Sequence, residues 1–161
     1  MSELEMKEQE YMDYIEEHIA NVKTAFQKYG DRLCQELNIN KFELERNIYK
    51  HDMSKFSDEE FNAYRNYYYP CSDETKDKES FNKAWKHHYT NNPHHPQYWK
   101  DEENNIKDMP NIYIAEMLCD WEAMSMKFND STYEYYKKER DVKPFSENTK
   151  IILDHVIEIF K

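Results

Sequence analysis

Residues Ser2–Gly30, SELEMKEQEYMDYIEEHIANVKTAFQKYG, decide the fold class. Ser2 and Glu5 form a capping box, in which a hydroxyl and a carboxylate satisfy N–H groups left open at a helix start. Leu4, Tyr11, Ile15, Val22, Phe26 and Tyr29 then recur at helical spacing. Gly30 falls where a left-handed residue would close the helix. The pattern therefore predicts a long first helix ending there, with Asp31–Leu37 as a short second turn of helix. Gly30 is also the only glycine in 161 residues. Phosphate loops, dinucleotide fingerprints and nucleophile elbows each need several glycines, so those enzyme classes are excluded.

Similar patterns continue downstream. Asn40 with Glu43 and Ser57 with Glu60 repeat the capping-box spacing, the second opening a tyrosine-rich helix that Pro70 ends. Ser72–Lys78 is polar and charged and is expected to be a mobile loop. Phe81, Ala84, Trp85 and His88 mark a helix stopped by Pro93 and Pro96. Pro110 suits the first position of a helix whose apolar face is broad: Ile114, Met117, Leu118, Trp121, Met124 and Phe128. After a connector at Asp141–Pro144, Ser146 caps a last helix with Ile152, Val156, Ile159 and Phe160. Five to seven helices and no strand give one all-α domain over residues 1–161.

Leu, Ile, Val and Phe number only 28, and acidic residues exceed basic ones by 33 to 22 for a net charge of −11. That combination would suit a disordered chain. The 14 tyrosines, 8 methionines and 3 tryptophans argue for a folded, partly polar, aromatic core instead. The acidic balance and the lack of a basic run speak against binding a nucleic-acid polymer. No apolar stretch is long enough to span a membrane. Met1–Glu10 lacks the features of a secretory signal. Cys34, Cys71 and Cys119 share no metal-binding spacing and read as reduced thiols, consistent with the cytoplasm.

The chemistry-bearing residues are chiefly histidines. His18 lies on the buried face of the first helix, as a core histidine or a ligand. His51-Asp52 pairs two ligand types, or ends one helix and caps the next. Asp120 sits on the most apolar helix, where a buried carboxylate needs a partner. Periodicity alone slightly favours its facing solvent, as Glu116 and Glu122 share that helix. The segment from Trp85 to Trp99, WKHHYTNNPHHPQYW, packs four imidazoles between two prolines and two tryptophans. Preorganised turns suit metal or anion binding, and an adventitious nickel-binding surface is the alternative. His87 falls off the inward stripe set by Phe81, Trp85 and His88. His155 reads as structural or exposed.

The ordered series His18, His51-Asp52, the histidine-rich segment and Asp120 resembles the HD-domain superfamily of metal-dependent phosphohydrolases. His51-Asp52-Met53-Ser54-Lys55 matches its HDxxK variant. His88-Tyr89 followed by Asn92-Pro93-His94-His95-Pro96 is similar to a closer group of small bacterial and phage proteins. That likeness runs from about Tyr11 to Phe128. The resemblance implies a first metal on His18, His51, Asp52 and Asp120, with Lys55 facing the substrate phosphate. His88, His94 and His95 would hold a second metal or donate hydrogen bonds to the phosphate and leaving group. Their closeness in sequence departs from two-metal members, whose extra histidines lie well apart.

The implied activity is hydrolysis of a small phosphorylated substrate, a nucleotide in the first instance, with one or two ions of Mn, Fe, Co, Ni or Zn, or Mg. Trp85, Tyr89 or Trp99 could stack on a base. The competing readings are an HD-type di-iron oxygenase and a non-catalytic helical ligand-binding protein. A homo-oligomer is compatible with the sequence.

Overall fold

A computed structural model describes residues 1–161. Seven α-helices make up the fold: α1 (Glu3–Leu37), α2 (Lys41–Tyr49), α3 (Phe61–Tyr68), α4 (Lys78–Asn91), α5 (Asn111–Phe128), α6 (Thr132–Glu139) and α7 (Glu147–Val156). Short 3-10 turns at Met53–Phe56, Pro96–Trp99 and Ile157–Phe160 supplement them. There is no β-strand, only an isolated bridge between Lys100 and Ile106. None of the helices is long and apolar enough to cross a membrane. The three cysteines are free thiols.

The α1 capping box forms as the sequence implies: Ser2 Oγ accepts from Glu5 N at 3.1 Å, and Ser2 N donates to Glu5 Oε2 at 2.7 Å. The helix does not stop at Gly30, however. It runs unbroken to Leu37 and closes on Asn38, which is left-handed at φ 52°. Leu33 and Leu37 carry the buried stripe onward, and their burial outweighs glycine's weak helix propensity. Gly30 instead serves close packing, since a Cβ there would lie 2.9 Å from the Phe26 ring.

Helix α5 lies along α1 as the main helix pair, and α2 packs on both. Helices α3 and α4 pair over the N-terminal half of α1, while α6, α7 and the last 3-10 turn close the other end. The result is two unequal cores. One contains 22 buried residues, among them Val22, Leu33, Leu44, Ile114, Leu118, Leu153 and Ile157. The other contains only Tyr11, Ile15, Tyr64 and Ala84, edged by Tyr14, Phe61, Tyr69 and Phe81. His18 is the one polar side chain on the buried stripe of α1, and it falls where the two cores meet.

Three further expectations change. The Ser72–Lys78 loop is tethered: Glu74 accepts from Arg65 Nη1 at 2.6 Å and Nη2 at 3.0 Å, and from Cys71 N at 2.8 Å. Asn66 also donates to Thr75 O. The Ser57–Glu60 capping box does not form. Glu60 precedes α3 without capping it, because its carboxylate turns inward. Pro110 sits one residue earlier than expected, as the N-cap of α5.

Candidate metal centre

Five chain segments deliver the site. His18 comes from the middle of α1, His88 from the last turn of α4 and Asp120 from the middle of α5. His51-Asp52 follows α2, and His94-His95 follow α4 in the proline-bounded turn. Adjacent side chains on a helix diverge by about 100°, which would keep His51 and Asp52 apart. The structure avoids this by ending α2 at Tyr49 and placing Asp52 in the left-handed region at φ 57°. Aspartate tolerates that conformation better than most residues.

The histidine-rich turn is held from two sides. Asn92 Nδ2 donates to His88 O at 2.7 Å and to Ser54 Oγ at 2.8 Å, tying it to the HDxxK turn. Trp99 Nε1 donates to Pro93 O at 2.8 Å. Trp99 packs on the larger core, so it is a structural strut and not a stacking platform.

The donors sort around the two oxygens of Asp52. Oδ2 lies 3.4 Å from both His18 Nε2 and His51 Nε2. Oδ1 lies 3.3 Å from His88 Nε2 and 3.4 Å from His94 Nε2. Asp120 repeats the division: Oδ1 is 2.9 Å from His18 Nε2 and Oδ2 is 3.5 Å from His94 Nε2. Two groups thus face inward, His18, His51 and Asp120 on one side and Asp52, His88, His94 and His95 on the other, while His51, His94 and Glu116 form a third set behind the rings. Lys55 Nζ stands 3.1 Å from Asp52 Oδ2.

Asp120 does not face solvent. It is mostly buried at the floor of the centre, and its neighbour Glu116, one helical turn earlier, is buried. Periodicity misleads here because α5 is enclosed on nearly every side, so its acidic residues mark the site and not an exposed face. Glu116 and Glu60 are the functional residues that sequence reasoning misses. Glu116 Oε2 accepts from His51 Nδ1 at 2.8 Å and from His94 Nδ1 at 2.9 Å. Glu60 accepts from His88 Nδ1 at 2.7 Å and His87 Nδ1 at 2.6 Å. A carboxylate on Nδ1 fixes the ring and aims Nε2 into the site, the arrangement found behind metal-bound histidines. His87 itself stays on the outer side of Glu60, and His155 is exposed beside Glu36.

Electrostatics favour positive charge at this point. Burial disfavours the charged rings, yet Asp120 and Asp52 raise His18 to about 9. Asp52, Asp120 and Glu116 raise His51 to about 10 in the same way. Burial and the His51 charge oppose protonation of His94, but Asp120 and Glu116 lift it to about 9. His95 goes the other way: burial, reinforced by His94 and His88, keeps it neutral. Burial works against ionising Asp52, but His51 and Lys55 hold its carboxyl well below the usual range.

Of the five buried side-chain atoms without a hydrogen-bond partner, three lie at this centre: Asp52 Oδ1, His94 Nε2 and His95 Nε2. Buried polar atoms are rarely left unpaired. These three belong to one group and point to a common space. An imidazole and carboxylate set of this kind fits a divalent ion of the Mn to Zn series. The buried histidine and carboxylate clusters can therefore hold metal ions.

A cleft of about 440 Å³ opens over the centre. His18, Asp52, Lys55, His88, His95 and Asp120 form its floor. Its walls are aromatic: Tyr11, Tyr64, Phe81 and Trp85 belong to α1, α3 and α4, while Trp121 and Tyr135 stand on α5 and α6. Lys143, from the connector before α7, also lines it and lies 5.7 Å from the Tyr135 ring centroid.

Fold and site together define an all-helical protein built around a buried histidine–carboxylate centre at the floor of an aromatic cleft. The chain belongs to a family of unknown function, DUF5662, whose profile matches residues 7–159. No curated protein and no solved structure matches it.

Proposed function

We propose that this chain is a divalent-metal phosphohydrolase of the HD-domain type, acting on a small phosphate ester, with a nucleotide as the first choice. One observation carries the reading. The two oxygens of Asp52 face two separate imidazole groups at the floor of a cleft that also holds Lys55. His18, His51, Asp52 and Asp120 would hold one ion. Asp52, His88, His94 and His95 would hold a second. Bound there, divalent ions would lower the pKa of water toward neutrality and neutralise phosphate oxygens.

The chain's own groups do the rest. Lys55 offers a point charge to a phosphate oxygen. His95, kept neutral and with Nε2 free, can complete the second donor set. Glu60 and Glu116 hold three of the rings by Nδ1–H, so that each turns its Nε2 inward, where an ion would displace the remaining proton. Trp85, Tyr64 and Phe81 on one wall and Trp121 on the other supply faces for a planar base. Lys143 adds a cation beside that wall. It would help an acidic protein retain an anionic substrate.

The test is phosphate release from a panel of nucleoside mono-, di- and triphosphates and cyclic nucleotides, with Mn, Co, Zn or Mg supplied. We expect turnover of at least one member, reduced about a hundredfold or more by Asp52→Asn and His51→Ala. Asparagine suits the left-handed position, so the first variant should fold. Ligand binding without turnover by the metal-loaded protein would overturn hydrolysis in favour of a sequestering role. The shared Asp52 also favours a second reading, an HD-type di-iron oxygenase. Full hydrolysis with manganese in iron-free protein would exclude it.

A further inference from the structure

Glu116 stands apart from the other carboxylates of the centre. Asp52 and Asp120 meet imidazole Nε2 atoms, on the inner side of the rings. Glu116 meets two Nδ1 atoms from behind, and it does so with a single oxygen: Oε2 is 2.8 Å from His51 Nδ1 and 2.9 Å from His94 Nδ1. Those are ordinary hydrogen-bond lengths, so the contact needs no ion between the groups. With Glu116 the two rings form a set of their own on the Nδ1 side, but on the Nε2 side they belong to different donor groups. His51 stands with His18 and Asp120, and His94 with Asp52, His88 and His95. Their centroids are 4.3 Å apart.

We propose that Glu116 is a shared positioning residue that sets both donor groups at once, so that the two ion sites are built or lost together. The inference rests on the reading that each donor group holds an ion. An ionised carboxylate can only accept hydrogen bonds. Both rings must therefore carry a proton on Nδ1, which turns both Nε2 atoms toward the centre as the positions an ion would take. Removing the Glu116 charge loosens one ligand of each group in a single step.

Glu60 provides the contrast. It fixes only His88 in the centre, and its other oxygen goes to His87 on the outer side. Its reach is one donor group.

Manganese titration of metal-stripped protein by calorimetry tests this, comparing the wild type with Glu116→Gln and Glu60→Gln. We expect two ions per chain in the wild type. Glu116→Gln should weaken both about 10–100-fold, the usual effect of losing a partner behind a ligand. Glu60→Gln should weaken one and spare the other. Unchanged affinity in Glu116→Gln, or loss confined to one ion, would overturn the proposal while the metal reading stands. Absence of any manganese binding by the wild type would overturn both.

Nitrogen-15 spectra of the zinc-loaded wild type give a second check that does not depend on a variant folding. Both His51 and His94 should carry their proton on Nδ1. A proton on Nε2 of either ring would refute the shared role.

Discussion

The two cores on either side of His18 are built from different materials. Below it, α1 buries Val22, Phe26, Leu33 and Leu37 in the 22-residue core. Above it, the same helix buries only Tyr11 and Ile15 against Tyr64 and Ala84, with a rim of partly exposed rings. The lower core is dominated by apolar groups that need no partner, so it can fix helix positions. The upper core is small and phenol-rich, and much of it borders the cleft. The contrast separates what holds the ligands from what would meet a substrate.

Substitutions should break the two halves differently. Leu33→Ala, far down α1 and fully buried, should cost about 2–5 kcal/mol of unfolding free energy. Metal content of the folded protein should stay unchanged. Phe81→Ala, on the upper rim, should cost about 1–2 kcal/mol because less area is lost. It should nevertheless weaken nucleotide binding, readable as a change in the fluorescence of Trp85 and Trp121. Equal stability losses with no binding effect would remove the distinction.

A pH series separates the centre from both cores. His18, His51 and His94 are raised to about 9, 10 and 9 in the metal-free fold. An unfolded histidine titrates near 6.5. The stability these rings contribute is thus complete below about pH 6.5 and is lost as pH rises through about 9 to 10. The thermal midpoint of chelator-treated protein should fall across that window. Leu33→Ala should lower the whole curve without flattening it, whereas His18→Ala should flatten it. An ion must displace the same protons, so manganese binding should release protons at pH 7 and tighten toward pH 9.

The smallest effect belongs to Lys143→Ala. Lys143 lies in the cleft wall and outside both donor groups. Its loss should leave the thermal midpoint and metal content alone and weaken nucleotide binding a few-fold. A large shift in either of the first two would place it in the scaffold instead.

The helices were legible where a cap and an apolar stripe agreed, as at Ser2, Asn40 and Ser146. They were misread where one residue type serves two ends. Gly30 suggests a stop, but its neighbours Phe26 and Leu33 keep the stripe buried. At the site, histidines and the HDxxK motif announced themselves by type and order. The two supporting glutamates did not, because glutamate is an ordinary helix-surface residue. Glu60 lay under a capping-box pattern, and Glu116 resembled a solvent-facing charge. The available signal was spacing: Glu116 and Asp120 are four apart on a largely apolar helix, so they share one face.

Anomalous diffraction from crystals of the manganese-loaded protein tests the central claim most directly. Two peaks should appear between Asp52 and the surrounding rings, one beside His18 and His51 and the other beside His88 and His94. The account is contradicted if manganese-soaked crystals show no peak there and the rings simply share protons with the carboxylates.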